Sequence, residues 1–130
     1  MPEVYKGKKF GRFAKKAHLS DVELWKAAQE ANDGLIDADL GGGVIKKRIA
    51  RPGEGKSGGA RSIIVFRRND LAVFVHGFEK KNTANIGLRE LEALRRLAQQ
   101  ILGYTSAELG EKVEEGALLR ITRPKEEEDA

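Results

Sequence analysis

The chain has 130 residues, a formal net charge of +4, no cysteine and two histidines. This length predicts a single domain with one modest core. The absence of cysteine excludes disulfides, thiolate nucleophiles and cysteine-based zinc sites, so we expect chemistry without a metal or other cofactor. No apolar run is long enough to span a membrane, and the first residues lack the apolar centre of a secretory signal, which predicts a cytoplasmic protein without a membrane partner.

Positive charge is concentrated in the first 81 residues. This part contains 17 Lys and Arg against 10 Asp and Glu, whereas residues 82–130 contain 7 against 10. A basic half favours a polyanionic partner such as RNA, DNA or the ribosome. An ordinary solvated surface is the alternative, and charge alone does not separate the two.

The N-terminal part of the chain predicts a strand and two helices. Residues 4–19 (VYKGKKFGRFAKKAHL) are expected to form a short strand and then an amphipathic helix. The apolar face of this helix contains Phe10, Phe13, Ala14 and Ala17. Ser20 and Glu23 have the spacing of a capping box in front of a second helix, which Gly34 is expected to end.

The central part predicts three strands in an antiparallel meander. The turn-rich LIDADLGGG leads into VIKKRIA, and the strands ARSIIVFRR and LAVFVHGF follow, with a turn at Asn69 and Asp70 between them. Alternation in the first of these strands predicts two faces. One face contains Val44, Lys46 and Arg48, and the other contains Ile45, Lys47 and Ile49.

The C-terminal part predicts two helices, a short strand and a tail. The helix LRELEALRRLAQQIL carries an apolar stripe of Leu88, Leu91, Leu94, Leu97 and Ile101. Thr105 and Glu108 form a second capping-box pattern, and ALLRIT predicts a short strand. We therefore expect an α+β fold in which N-terminal and C-terminal helices pack on an antiparallel meander. Residues 1–122 are predicted to form one domain, and residues 123–130 a charged, disordered tail.

The glycine-rich stretch ARPGEGKSGG (residues 50–59) contains a Gly-Lys-Ser sequence that is typical of nucleotide-binding loops. Such a loop needs a strand before it and a helix after it, so that backbone N–H groups converge on the phosphates. A strand is predicted on both sides here, so no nucleotide cofactor is expected. We interpret the stretch as a loop through which Arg51 and Lys56 contact the phosphates of a polyanion.

The order of these motifs resembles that of the RelE/ParE/HigB superfamily of type II toxin–antitoxin toxins, over roughly residues 9–121. The resemblance rests on GLIDADLGGG, on the Gly-Ala-Arg that starts one strand and on the Gly-Phe-x-Lys-Lys that ends the next. It implies a compact antiparallel sheet with flanking helices, no cofactor, and a cognate antitoxin that we expect to be a helix-turn-helix protein.

The same resemblance implies a choice of activities. RelE-like and HigB-like members are endoribonucleases (mRNA interferases) that cut mRNA, often on the ribosome, whereas ParE-like members inhibit DNA gyrase. The RelE-like activity is favoured because basic residues occupy the positions that a nuclease would use. A ParE-like toxin that binds gyrase and a nucleic-acid-binding module of the same fold are the alternatives.

The family pattern also implies site residues. Lys46 and Arg48 correspond to the basic pair on the strand before the loop, and Arg61 corresponds to the arginine that opens the next strand. The end of the following strand contributes Lys80 and Lys81 to the implied catalytic set.

Three further positions complete the predicted RNA-contacting surface, and His76 completes the predicted catalytic set. His76 lies near the position where some HigB-like members use histidine. The expected RNA contacts are Lys47, Arg51 and Lys56.

Metal-free RNA cleavage needs a base for the 2′-hydroxyl, stabilisation of the phosphorane and an acid for the leaving 5′ oxygen. Lys and Arg can stabilise the phosphorane charge, a lysine whose pKa is lowered by cationic neighbours can act as a base, and histidine can act as acid or base near neutral pH.

Structural roles are the alternative for the same residues. Lys46 and Arg48 could form the solvated face of an edge strand, and Arg61 could be the partner of a structural salt bridge. Strict alternation groups His76 with Ala72, Phe74 and Phe78. This grouping is typical of a histidine at the boundary of the core.

Overall fold

One mixed sheet and four helices make up the part of the chain that the structure describes, which is residues 2–50, 59–79 and 86–124 of a computed structural model. The sheet has the strand order β2-β3-β4-β5-β1-β6. In chain order the elements are β1 (Glu3–Gly7), α1 (Lys8–Lys16), α2 (Asp21–Asn32), β2 (Ala38–Gly41), β3 (Val44–Ile49), β4 (Ala60–Arg67), β5 (Leu71–Glu79), α3 (Leu88–Leu102), α4 (Ser106–Glu114) and β6 (Leu118–Ile121). The predicted α+β class is confirmed.

The antiparallel meander is formed by β3, β4 and β5, as predicted. Strand β1 lies parallel to β5, and β6 pairs antiparallel with the other side of β1. The last pair between β3 and β4 joins Ile49 to Ala60. The glycine-rich stretch therefore connects two paired strands, which confirms that no helix follows it directly; Arg51 and Lys56 themselves lie outside the described residues.

Strand β2 was not predicted, because its sequence ADLG is short and lies inside a turn-rich stretch. It pairs with β3, with Ala38 opposite Lys46. The reversal between the two strands uses Gly41, Gly42 and Gly43, whose φ angles are 84°, 65° and 82°. Only glycine adopts such angles without steric cost, so the glycine run is what allows this tight reversal.

The two faces of the sheet carry different helices. Helices α1 and α2 cover one face, which we call the α1/α2 face, and its buried residues include Val4, Phe10, Leu24, Ile45, Ile64 and Phe74. Helices α3 and α4 cover part of the other, which we call the α3 face, and its buried residues include Tyr5, Val44, Ile63, Val73, Leu94 and Ile101. Burial of each large apolar side chain stabilises the fold by roughly 1.5–3 kcal/mol.

Both predicted capping boxes are present. The backbone N–H of Ser20 donates to Oε1 of Glu23 at 2.8 Å, and the backbone N–H of Thr105 donates to Oε1 of Glu108 at the same distance. Gly34 has a φ of 95° just after α2, as expected of a helix stop. Helix α3 has no such box, because its N-cap is Gly87.

The predicted leucine stripe of α3 is only partly buried. Leu94 and Ile101 are buried together with Ala98, whereas Leu88 is 70% exposed and Leu97 is 37% exposed. A stripe that advances by three residues rotates around a helix with 3.6 residues per turn, so Leu88 and Leu97 lie roughly 180° apart on it. No helix in the described ranges is long and apolar enough to cross a membrane.

The register between β4 and β5 shifts by one residue. Ile63 is opposite His76 and Ile64 is opposite Phe74, so Val75 is an extra residue in β5. This bulge places His76 on the α3 face. Strict alternation, which groups His76 with Phe74, is therefore wrong beyond Val75, because a bulge reverses the sidedness of the residues that follow it.

Gly77 offers a test of the packing behind this bulge. A Cβ at Gly77 would lie 2.3 Å from Cδ2 of Phe13, so we expect Gly77→Ala to lower the free energy of unfolding by about 1–3 kcal/mol. Gly110→Ala in α4 is the matched control, since nothing lies within 4 Å of its added methyl group, and it is expected to be neutral or slightly stabilising. Urea denaturation measures both. A Gly77→Ala protein as stable as the wild type would contradict this account of the packing.

Tyr5 makes the free energy of unfolding depend on pH in the alkaline range. Its burial, together with the hydrogen bond that its hydroxyl donates to Oε1 of Glu3 at 2.6 Å, raises the pKa of Tyr5 from 10.0 to about 12. In this window the unfolded chain releases a proton that the folded protein retains, so the free energy of unfolding falls as the pH rises from 10.0 to about 12. We expect the slope to be shallower in Tyr5→Phe, measured by urea denaturation across this range. Equal slopes in the two proteins would contradict the assignment.

Candidate functional site

Predicted site residues meet on the α3 face of the meander. In one row across the strands, Lys46 and His76 lie on either side of Ile63. In the next row, Arg48 is directly opposite Arg61. Directly paired residues share a face of the sheet. We call this group the basic patch; it consists of Lys46, Arg48, Arg61 and His76. Since neighbouring strands are about 4.8 Å apart, the Cα atoms of Lys46 and His76 are separated by roughly 10 Å.

Arg61 is largely enclosed in the basic patch. Its side chain is 15% exposed, and its Nε lies 3.8 Å from Oδ2 of Asp37. Its Nη1 is buried and has no hydrogen-bond acceptor among the described residues. The Nη1 group of Arg61 therefore retains hydrogen-bonding capacity that an anion can use.

Lys46 and Arg48 differ in their surroundings. Lys46 is half-buried and pairs with no carboxylate of the residues that the structure describes. Arg48 also lines a pocket of about 130 Å³ at the C-terminal end of β3, together with Lys26 and Glu30 of α2. Arg48 therefore borders both the basic patch and this pocket.

His76 has a carboxylate neighbour that sequence reasoning missed. Its side chain is 19% exposed, and its Nε2 lies 3.6 Å from Oε2 of Glu90 in the first turn of α3. Its ring centroid is 6.0 Å from that of Phe78. No spacing rule connects positions 76 and 90, because the contact depends on the bulge at Val75 and on the docking of α3.

Lys47 is not part of the basic patch. It lies on the α1/α2 face, where its Nζ is 2.9 Å from Oε1 of Glu30 and its side chain is only 9% exposed. Its sidedness agrees with the predicted alternation, but this ion pair occupies the ammonium group. The remaining predicted site residues lie outside the described residues: the RNA contacts Arg51 and Lys56 and the catalytic candidates Lys80 and Lys81.

A second cationic surface lies on the α1/α2 face. We call it the α1 groove; its volume is about 590 Å³, and its lining includes Lys6, Lys8, Arg12 and Lys15. Lys6 is paired there with Asp21 at 2.7 Å. The sheet separates this groove from the basic patch. Within the described part of the chain, no three His, Asp or Glu side chains cluster as metal ligands would.

A comparison of the sequence with models of protein families assigns nearly the whole chain to one family. The family model for the RelE toxin of the RelE / RelB toxin-antitoxin system matches residues 2–121. This range contains every strand and helix described above. No curated protein gives a significant match to the chain. The chain therefore belongs to the RelE toxin family, and this membership implies that its partner is a cognate antitoxin.

Proposed function

We propose that this toxin is a metal-independent endoribonuclease, an mRNA interferase, which cleaves mRNA on the ribosome in the cytoplasm, and that the basic patch is its active surface. Family membership supports the toxin role. The observation that carries the proposal is the cross-strand pair of Arg48 and Arg61, with Lys46 and His76 in the adjacent row on the same face.

The charge of the basic patch suits a phosphodiester. Asp37 is 3.8 Å from Arg61 and offsets only part of its charge. A phosphate bound beside Arg61 would accept charge-assisted hydrogen bonds from its guanidinium, including one from Nη1. The same contacts strengthen as the phosphate gains a negative charge in the transition state, which is the property that lowers an activation barrier.

Lys46 and His76 supply the two proton transfers in this proposal. The neutral imidazole of His76 takes the proton of the 2′-hydroxyl as the 2′ oxygen bonds to phosphorus. The bond between phosphorus and the 5′ oxygen breaks, and the ammonium of Lys46 gives that oxygen a proton. In an in-line displacement, the attacking and leaving oxygens lie on opposite sides of phosphorus. Lys46 and His76 correspond to this arrangement because they lie on opposite sides of Ile63. The products are a 2′,3′-cyclic phosphate and a 5′-hydroxyl.

Single substitutions test the patch. We expect Lys46→Ala, Arg61→Ala and His76→Ala each to lower cleavage by roughly 10²–10³-fold, because each removes charge stabilisation or a proton transfer. Arg68→Ala is the matched control, since it removes an exposed positive charge from the turn after β4, and it should retain wild-type activity. Growth arrest and mapped transcript 5′ ends after induced expression measure the effect, and circular dichroism checks the fold.

The same mapping separates the rival activities. Folded variants that arrest growth and cut transcripts as the wild type does would show that the basic patch is not the site. Broken chromosomal DNA with intact transcripts would replace the nuclease proposal with gyrase inhibition.

The chemistry of the cut ends tests the metal-independent route. Cleavage by the 2′-hydroxyl predicts 5′-hydroxyl ends, and a single 2′-deoxy nucleotide at the cleaved position should abolish the cut, while one at a neighbouring position should not. Cleavage is expected to persist when a chelator selective for transition metals is added and Mg²⁺ is kept for the ribosome. Products with 5′-phosphate ends, or loss of cutting with the chelator, would contradict this route.

A further inference from the structure

The first turn of α3 differs from that of the two helices that carry capping boxes. In α2 and α4, the glutamate at the third helical position, Glu23 or Glu108, accepts a hydrogen bond from the N-cap backbone. Glu90 holds the same position in α3, but the N-cap there is Gly87 and offers no side-chain partner. Instead, the carboxylate of Glu90 faces the imidazole of His76.

The docking of α3 onto the hairpin of β2 and β3 determines where Glu90 lies. Nε and Nη2 of Arg95 both donate to the carbonyl oxygen of Leu40. A Cβ at Gly43 would lie 2.5 Å from Cδ1 of Leu102. The glycine run of LIDADLGGG therefore lets α3 lie close against the sheet, and the helix carries Glu90 to the edge of the basic patch.

We propose that Glu90 is a positioning residue for His76. Its carboxylate accepts a hydrogen bond from Nε2–H of His76, which selects the tautomer whose Nδ1 carries the lone pair and directs that nitrogen toward the substrate. The present separation of 3.6 Å becomes a hydrogen bond after a shortening of roughly 0.7 Å, a change that is common when a substrate binds. This inference rests on the proposed function, because it names His76 as the group that moves a proton.

The charges near His76 give its imidazole a single carboxylate partner among the described residues. Lys46 and Arg61 share its face from β3 and β4, and both are cationic. Glu90 comes from α3 and is the acidic group in contact with the ring. A glutamate in the first turn of a helix also stabilises that helix through its dipole. If helix stabilisation were the only role of Glu90, its loss would lower the stability of the protein and would leave the tautomer of His76 unchanged.

The test compares Glu90→Ala with Glu92→Ala, which makes the same truncation two residues further along α3 at an exposed position. We expect Glu90→Ala to lower kcat by about 10–100-fold without raising KM, because the chemical step depends on the orientation of His76 and substrate binding does not. Glu90→Gln retains an acceptor oxygen, so its kcat should lie between those of Glu90→Ala and the wild type. Glu92→Ala should behave as the wild type.

Two further readouts separate positioning from a structural role. The ¹⁵N chemical shifts of the His76 ring should report mainly the Nε2-protonated tautomer in the wild type and in Glu92→Ala, and a mixture in Glu90→Ala. In a His76→Ala background, the further loss caused by Glu90→Ala should vanish, because Glu90 acts through His76.

The outcomes are distinct from those that test the nuclease proposal. A fall in kcat that persists in the His76→Ala background, or an unchanged tautomer in Glu90→Ala, would overturn the role of Glu90. If the wild type cuts no RNA, the proposed function fails, and the ¹⁵N shifts still decide whether Glu90 orients the ring.

Discussion

The pairing of β5 with β4 determines the side of the sheet on which the candidate chemistry takes place. Up to Phe74, β5 alternates between the two faces, and the extra residue Val75 then reverses the order. If Val75 were paired in strict alternation and no bulge were present, His76 would face the aromatic side chains of α1, where Phe13 closes over Gly77. With the bulge, His76 joins Lys46 and Arg61 on the α3 face. Bulges that redirect a side chain in this way are common next to active sites.

The cationic charge of the protein is divided between two surfaces with different chemistry. The basic patch combines two opposed arginines, a lysine and a histidine, with carboxylates at its margin from Asp37 and Glu90. Among the described residues, the lining of the α1 groove contains lysines and an arginine but no histidine. A surface of the second kind can hold a polyanion, but it has no group that exchanges protons near neutral pH in the way that imidazole does. The nuclease proposal therefore concerns the basic patch alone.

Local patterns in the sequence were enough to predict much of the fold, and contacts between distant residues account for what they missed. Both capping boxes and the meander follow from spacing and alternation over a few residues, and alternation also placed Lys46 and Lys47 on opposite faces. The bulge at Val75 and the approach of Glu90 to His76 depend on how β4 and α3 pack. Such contacts leave no periodic signal in one sequence, so the basic patch was predicted only through the family resemblance.

The most direct test of the central claim is a map of where RNA contacts the folded toxin. A short RNA with 2′-O-methyl groups cannot be cleaved by its own 2′ oxygen, so it can be titrated into ¹⁵N-labelled protein and followed through the backbone amide resonances. We expect the largest shifts at Lys46, Arg48, Arg61 and His76, on the α3 face. Shifts confined to Lys8, Arg12 and Lys15 in the α1 groove, with the α3 face unperturbed, would contradict the account.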